Sequence, residues 1–532
     1  MTRDGAALLV LVVAIAAVFT TQRRNVGFEM GHHGWVSAHG LAIAEKAVPA
    51  AGFLGHSMRV EGRKGAARLI YFDRYPIFFS AFAHQVLDFG DPGLATRIFR
   101  ARQLMNAVFA ATMLAVYALL RIVGWTRWIA LTATLLALSG TYFLSYKDMF
   151  HFDQPALLGI VLVWIGIATY ERSGRRGVLY PLALLAVCLG RGAASLGALL
   201  AWLGCQAAAA FRSRRREGAL RARARAFARL ESFRLLLLCA GVVAAFLVYN
   251  VLVESHLTGE PPAQTSIVGS AGRRLGFDAE LDTQFTRELA WPRVLATQAE
   301  RLLIAMTPAV FGVRVDPTQT GPAARLGLAS GAVVVALLAL ALAALVVGAP
   351  RSGAGDSGDA RLTALQQRML VVMALTGPIW LLPLRRLAQF HDYTAMYWLG
   401  TVLAIDLLAL LWVPRRWTIV AAALAFAFFV GGNLAVNRRD TPAARRANAE
   451  TEDLQRVADA LPPDARVHVE GGFTNLIPGV PFALGFYLPQ ATTIEELHRA
   501  DYVLSRKRIA AGGLTPQNRS IFAYATARRA SP

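Results

Sequence analysis

Two acidic clusters lie just outside long apolar segments of the chain, where their side chains could take part in chemistry. The first contains Glu29 and is followed by His32 and His33. The second contains Asp148 and Asp153. Carboxylates next to hydrocarbon are costly in free energy, so they usually serve binding or catalysis. Both clusters fall on the same side of the membrane in the expected topology, which makes them candidates for one active site at a membrane surface.

The composition is that of a polytopic membrane protein. The chain has 532 residues, of which 55% are hydrophobic and 17% are charged, and its mean hydropathy is +0.43. A soluble chain of this size usually carries more charge. Apolar runs recur along the chain, so we predict an all-α polytopic membrane protein with about eleven transmembrane helices. The predicted spans are approximately 5–21, 104–122, 127–145, 154–171, 178–192, 193–211, 235–254, 325–348, 369–384, 394–413 and 417–434.

The first apolar run could be a signal peptide or a retained helix. Arg3 is its only amino-terminal basic residue, and Thr20-Thr21-Gln22 is a poor cleavage site. We therefore interpret the run as an uncleaved first span.

The distribution of arginine predicts the orientation in the membrane, because arginine-rich loops usually face the cytoplasm. Arg23 and Arg24, just after the first span, argue against a cytoplasmic amino terminus. The arginines of the other short loops support it and are more numerous. The expected location is the bacterial inner (plasma) membrane, with a carboxy-terminal domain that is periplasmic or external. The loops assigned to the cytoplasm are 121–127, 172–176, 212–234, 351–368 and 415–416.

The net charge of +21 does not indicate a nucleic-acid partner, since part of it reflects the usual excess of basic residues in the cytoplasmic loops of membrane proteins. The densest basic segment, 212–234, is interpreted as a helix lying on anionic lipid headgroups.

Cys188, Cys205 and Cys239 lie in or beside predicted spans and are interpreted as small core residues. No metal-binding or nucleotide-binding motif occurs in a supporting context, so we expect no cofactor. His32 and His33 with Glu29 could bind a divalent cation, but adjacent histidines on a helix point about 100° apart and rarely ligate one ion. Any reaction must then take its energy from an activated substrate.

Two regions outside the membrane are expected to fold. In the first outer loop, 22–103, interfacial helices are predicted over 33–48, 77–89 and 94–103, with a polar loop over 52–68. Residues 1–434 would form the transmembrane domain, and 435–532 a small α/β domain. The elements predicted in the latter are a helix over 450–461 and strands over 466–470, 483–488, 502–505 and 521–525.

The ordered set of motifs resembles the GT-C superfamily of integral-membrane glycosyltransferases over about residues 5–434. In pattern it is most similar to the dolichyl-phosphate-mannose protein mannosyltransferase-like enzymes and the aminoarabinose transferases. The family's first acidic residue is commonly Asp, whereas this chain has Glu29. The motifs that carry the resemblance are Glu29 with His32-His33-Gly34-Trp35, Tyr71-Phe72-Asp73-Arg74-Tyr75-Pro76, the stretch from Phe143 to Leu157, Cys188-Leu189-Gly190-Arg191-Gly192 and Gln389-Phe390-His391-Asp392-Tyr393.

The resemblance implies an inverting transfer of a sugar from a polyprenyl-phosphate carrier to an acceptor on the outer face, with a carboxylate as the base. Glu29 is assigned as that base, and Asp153 as a second acid that binds donor sugar or acceptor. Asp148 is a rival for the second role. The donor phosphate is assigned to Arg74, Lys147 and Arg191, since arginine suits bidentate contact with phosphate. Residues expected to support the acceptor are His33, His391, Asp392 and Tyr393.

Other interpretations of these residues stay open. Glu29 and Asp153 could cap helices, Arg74 could pair with Asp73 or lipid headgroups, and Arg191 could snorkel to the interface. The chain as a whole could instead be a lipid or sugar transporter or flippase, or a non-catalytic envelope assembly protein. A transporter is expected to carry paired charges in mid-membrane, whereas most acids here lie at the outer edge. The sugar, the acceptor (lipid, glycan or protein) and the oligomeric state are not determined by these patterns.

Overall fold

The computed structural model describes most of the apolar part of the chain and fragments of the rest. Helices form at all of the predicted apolar runs, since each is a long stretch of good helix formers with few breakers. The residues described are 3–21, 32–45, 55–61, 67–72, 78–90, 93–213, 227–259, 261–262, 291–312, 328–346, 362–381, 392–462, 464–469, 491–494, 500–505 and 519–522.

The α-helices are numbered in chain order. They are α1 (Arg3–Thr20), α2 (His32–Glu45), α3 (Phe78–Leu87), α4 (Leu94–Val123), α5 (Arg127–Leu138), α6 (Thr141–Ser145), α7 (Asp153–Ser173), α8 (Arg176–Cys188), α9 (Ser195–Ser213), α10 (Glu231–Thr258), α11 (Trp291–Met306), α12 (Leu328–Val346), α13 (Ala364–Leu381), α14 (Leu399–Leu410) and α15 (Thr418–Ala460). Short 3-10 helices lie at Gly192–Ala194, Ala309–Phe311, Asp392–Trp398 and Arg415–Trp417.

The prediction of a helical protein with membrane spans is confirmed in its coarse form. Among the described residues, five helices are long and apolar enough to cross a membrane, judged by length and composition. The total of eleven spans stays a prediction, as does the orientation of the termini. The five helices are Leu94–Val123, Asp153–Ser173, Gly192–Phe211, Glu231–Thr258 and Arg415–Arg438.

Two helix boundaries predicted from the sequence are wrong. Residues 94–103 were expected to form a separate interfacial helix, but they continue into the next span as the single helix α4. Likewise, 450–461 is the end of α15, which runs without interruption from the last span. In both places the polarity changes at the membrane edge, but the backbone hydrogen-bonding pattern of a helix does not depend on that change.

A six-stranded sheet joins the first outer loop to the carboxy-terminal tail. Its strands are β1 (Gly55–Glu61), β2 (Ala67–Phe72), β3 (Arg466–Val469), β4 (Thr492–Ile494), β5 (Tyr502–Ser505) and β6 (Arg519–Phe522). Their order in the sheet is β2-β1-β4-β3-β5-β6. The β1–β2 hairpin is antiparallel, and β1 then pairs in parallel with β4, so the hairpin extends the parallel sheet of the tail.

The prediction of a polar loop over 52–68 is therefore wrong, because most of that stretch lies in the β1–β2 hairpin. Strands were correctly predicted at β3 and β5, and β6 begins two residues before its predicted start. Strand β4 was missed, and the strand predicted over 483–488 lies outside the described residues. The domain boundary between 434 and 435 stays a prediction, although α15 crosses it and the sheet draws strands from both sides.

The buried residues form two cores that meet at the segment between α6 and α7. The larger core packs helices of the membrane region against one another and includes Tyr146 and Met149. The smaller core packs α2, α3 and the start of α4 against the tail, and it includes Phe150 and Phe152. The segment carrying the second acidic cluster therefore lies where the core of the apolar helices meets the core formed with the tail.

Candidate active site

The segment 146–152 is buried, although it is not regular helix. Buried backbone without regular structure needs other hydrogen-bond partners. Phe150 N donates to Ser37 Oγ at 3.2 Å, and the Gln154 side chain donates to Tyr146 O at 3.0 Å. These contacts fix the segment between α2 on one side and α7 on the other.

Asp153, the first residue of α7, is the centre of a buried polar cluster. Its Oδ1 lies 3.0 Å from Arg191 Nη1 and also accepts a hydrogen bond from the Tyr397 hydroxyl. His151 Nδ1 lies against the other carboxylate oxygen, Oδ2. Burial lowers the pKa of the His151 imidazole by desolvation, and Asp153 only partly opposes this.

The Gly190-Arg191-Gly192 break places Arg191 against this carboxylate. Gly190 has φ +52°, and a Cβ there would lie 2.1 Å from Phe152 O. A Cβ at Gly192 would lie 2.1 Å from Val187 O. Arg191 N donates to Phe152 O at 3.1 Å. The two glycines allow the chain to turn tightly beneath residue 152, and the Arg191 side chain then reaches the start of α7.

Replacing Gly190 with alanine should therefore destabilise the protein by on the order of 2–4 kcal/mol. Alanine is strained in the left-handed backbone conformation, and its Cβ would collide with Phe152 O. Thermal unfolding in detergent measures this effect. Gly177→Ala is the matched control, because a Cβ at Gly177 meets nothing within 4 Å. Equal unfolding temperatures for the two variants would contradict this account of the break.

Asp148 is paired with an arginine that the sequence reasoning missed. Arg102 Nη1, on α4, lies 3.0 Å from Asp148 Oδ2, and the two side chains are only 6% and 9% exposed. The signal that could have found it is an arginine two residues before the predicted span 104–122, with the buried Asn106 one turn later. Asp148 and Asp153 therefore belong to two separate buried ion pairs.

Two residues of the segment 146–152, Lys147 and Phe150, link the second acidic cluster to the chain on either side of the first. Its Nζ donates to Asn437 Oδ1 at 3.2 Å, and the Asn437 amide donates to Thr21 O at 3.1 Å. Thr21 precedes the first cluster in the sequence. Ser37 follows that cluster and contacts Phe150. Both flanks of the first acidic cluster are thus tied to the segment that carries the second.

Several predicted site residues cannot be placed in this cluster. Glu29, Arg74 and His391 lie outside the described residues. His33 is within α2, and Asp392 and Tyr393 are within the 3-10 helix Asp392–Trp398, but only their backbone positions are described. Tyr397, in that same 3-10 helix, was missed, although it lies shortly after the His/Tyr-rich motif. The roles assigned from the sequence stay predictions for Glu29, Arg74, His391, His33, Asp392 and Tyr393.

The arrangement also bears on metal binding. Among the residues described, no group of three or more His, Cys, Asp or Glu side chains is placed to hold a metal ion. His151 and Asp153 contribute one nitrogen and one carboxylate, and Arg191 already lies against that carboxylate. The expectation that no cofactor is used stays a prediction.

Comparison with known proteins finds resemblance only among solved structures. No family model matches the chain, and no curated protein matches it. The chain is similar in structure to two GT-C glycosyltransferases.

One of these structures is an oligosaccharyltransferase from Archaeoglobus fulgidus, tethered to an acceptor peptide containing the NVT sequon. It has 12% identity and a TM-score of 0.49, and the match covers 92% of this chain but only 64% of that one. The other is ArnT from Cupriavidus metallidurans bound to undecaprenyl phosphate, with 12% identity, a TM-score of 0.42 and coverage of 95% and 87%. Because both TM-scores are below 0.5, neither likeness assigns a substrate to this chain.

Proposed function

We propose that this protein is a GT-C-like membrane glycosyltransferase that moves a sugar from a polyprenyl-phosphate carrier to an acceptor on the outer face. The observation that supports this most strongly is the set of contacts made by residues on either side of the first acidic cluster. Thr21, before Glu29, is linked through Asn437 to Lys147, and Ser37, after Glu29, contacts Phe150. Described residues on both sides of Glu29 are therefore linked to the segment that carries Asp148 and Asp153.

The buried charges in this region are arranged for recognition of a charged ligand. Arg102, Lys147 and Arg191 are all at least nine-tenths buried, beside Asp148 and Asp153. Burying charge costs free energy even when it is paired, and a hydrophobic replacement is often as stable. A cluster of such pairs at one membrane edge is therefore better explained by a functional site than by stability.

The proposed reaction is a displacement at the anomeric carbon. Glu29 removes the proton of the acceptor hydroxyl or amine, the acceptor oxygen or nitrogen attacks, and the bond from the anomeric carbon to the phosphate oxygen breaks with inversion. Arg74, Lys147 and Arg191 stabilise the departing polyprenyl phosphate. Asp153, or its rival Asp148, orients the donor sugar or the acceptor. The residues proposed to support the acceptor are His33, His391, Asp392 and Tyr393.

Arg74→Ala tests the donor side of this proposal. Binding of a polyprenyl-phosphate sugar should weaken by about 1.5–3 kcal/mol, the range for a charge-assisted contact that is partly buried. Arg74→Lys should recover only part of the loss, because a point charge replaces a planar fork. The measurement is a titration of donor lipid into purified protein in detergent.

Arg466→Ala is the control for that titration, since Arg466 forms an exposed ion pair with Asp501 in the tail. If Arg74→Ala binds donor like the unmodified protein while Arg191→Ala does not, the phosphate site lies at the glycine-flanked break. If neither change matters, the glycosyltransferase proposal loses its physical basis.

The outer-face location is tested by labelling single cysteines in intact cells. A membrane-impermeant reagent should reach cysteines placed at Gly62, Gly269 and Gly512, because the arginine-rich loops hold the opposite face in the cytoplasm. Cysteines placed at Gly218 and Gly355 should stay unlabelled until the cells are permeabilised. Labelling of Gly218 from outside would reverse the orientation and move Glu29 to the inner face.

One observation favours the transporter alternative. Asp406 lies within α14, is 1% exposed, and its Oδ2 has no hydrogen-bond partner among the described residues. Buried acids inside a span are common along transport pathways. A transporter would therefore lose activity on Asp406→Asn and tolerate Glu29→Gln, whereas the proposed glycosyltransferase should show the opposite pattern in a transfer assay.

A further inference from the structure

The carboxy-terminal tail, which carries β3–β6, contributes side chains to the smaller core. Val467 of β3 and Leu504 of β5 are fully buried there, in the same core as Phe150 and Phe152. Side chains alternate between the two faces of a strand, so one face of the tail's sheet packs into this shared core. Val503 is equally buried but is not among the residues of the core, because it points to the opposite face of β5 from Leu504.

The segment around Phe150 is held by helices of the same core. Phe150 N donates to Ser37 Oγ of α2 at 3.2 Å. Gly40, one turn later in α2, permits a close approach, because a Cβ there would lie 2.8 Å from Phe150 O. The Phe150 ring stacks on that of Phe79 in α3, with ring centroids 5.8 Å apart. The position of Phe150 is therefore set by α2 and α3 as well as by its neighbours in the chain.

The tail also completes the sheet that packs against α2. Strand β1, which contacts α2, pairs in parallel with β4 of the tail, Arg59 with Thr492 and Val60 with Thr493. A two-stranded hairpin is marginally stable by itself, whereas three or more strands with an apolar face are stable. The β1–β2 hairpin thus gains stability from the tail and supports α2 in turn.

We propose that the tail is a positioning element of the active site. The buried tail residues of the shared core set the position of Phe150 and Phe152. Asp148 and Asp153 lie beside these phenylalanines in the chain, so their positions follow. Phe152 O also accepts the hydrogen bond from Arg191 N, so a shift of Phe152 reaches that arginine too. The inference rests on the proposed function, since it takes this segment as part of the active site.

The first measurement is hydrogen exchange in the full-length protein in detergent. The Phe150 amide is bonded to Ser37, so it reports directly on the contact between the acidic segment and α2. Val467→Ala removes two methyl groups from the shared core, so peptides containing Phe150 should exchange on the order of tenfold faster. Peptides from the far end of α7, residues 165–173, should exchange as in the unmodified protein.

Val503→Ala is the matched control. It makes the same chemical change in an equally buried valine of the same sheet, but on the face turned away from the shared core. Exchange at Phe150 should then be unchanged. Equal exchange at Phe150 in the two variants overturns the inference, because a tail that is a separate module would have no face-specific effect on this segment.

The second measurement is a titration of undecaprenyl phosphate into the same proteins. Val467→Ala should bind it more weakly, by on the order of fivefold, since a site whose supporting residues are loosened loses affinity. Val503→Ala should bind it like the unmodified protein. Unchanged affinity in Val467→Ala overturns the inference, even where its exchange is faster.

The outcomes separate this inference from the proposed function. If Val467→Ala does not fold, Leu504→Val makes a smaller change in the shared core and replaces it in both measurements. If the unmodified protein does not bind undecaprenyl phosphate, the proposed function fails. The exchange at Phe150 then still decides whether the tail positions the acidic segment, because that measurement needs no ligand.

Discussion

Replacing Glu29 with glutamine is expected to lower turnover by on the order of 100-fold or more, because the amide keeps the shape and hydrogen bonding of the side chain but cannot accept the acceptor's proton. Folding and donor binding should persist. Glu29→Asp should be tolerated better, since it keeps a carboxylate and restores the residue that is common in the GT-C superfamily. The measurement is transfer of labelled sugar from a polyprenyl-phosphate donor by purified protein.

The control for this prediction is Glu231→Gln, the same chemical change in a buried carboxylate that pairs with Arg176. It should leave turnover near the wild-type rate. Wild-type turnover by Glu29→Gln would remove the base assignment and would point to Asp148 or Asp153 instead. Loss of donor binding together with turnover would mean that Glu29 holds substrate and is not the base.

Breaking the buried ion pair between Arg102 and Asp148 is expected to have the largest effect on stability. Asp148→Ala leaves the Arg102 guanidinium buried without its carboxylate, which should lower the free energy of unfolding by about 3–5 kcal/mol. The double variant Arg102→Met, Asp148→Leu should recover most of this loss, because well-packed apolar side chains often replace a buried pair at little cost. Denaturant or thermal unfolding in detergent measures both.

The pair between Arg466 and Asp501 provides the contrast. Its side chains are 48% and 41% exposed, so solvent screens their interaction. Asp501→Ala should change stability by only about 0–1 kcal/mol. Similar losses from Asp148→Ala and Asp501→Ala would mean that the Arg102–Asp148 pair is solvated.

The double variant also separates stability from function. A folded Arg102→Met, Asp148→Leu protein that retains turnover would assign the pair a structural role and leave Asp153 as the second acid. A folded but inactive double variant would support a direct role for Asp148 or Arg102. From the sequence alone, Asp148 and Asp153 are rival candidates for the second acid. Because Asp148 pairs with Arg102 and Asp153 with Arg191, variants of one pair can be tested while the other stays intact.

The sequence by itself determined the helices and several of the chemically important residues. Apolar runs predict helices reliably because the pattern and the helix are both local in the chain, and each predicted run contains helix. Asp153 and Arg191 were both singled out from their local settings, a carboxylate at a span boundary and an arginine between two glycines. Strands β3 and β5 were also found, since each is a short alternating run between turn residues.

Only the tertiary structure decided which of these residues are partners. Arg102 meets Asp148, and Tyr397 meets Asp153, across long separations in sequence. Such contacts depend on how helices pack, which no local pattern encodes. The β1–β2 hairpin was missed for a related reason, because β1 is completed by pairing with β4 in the distant tail. Local sequence therefore determined which groups carry charge at the membrane edge, and packing decided that Asp153 lies between an arginine and a tyrosine.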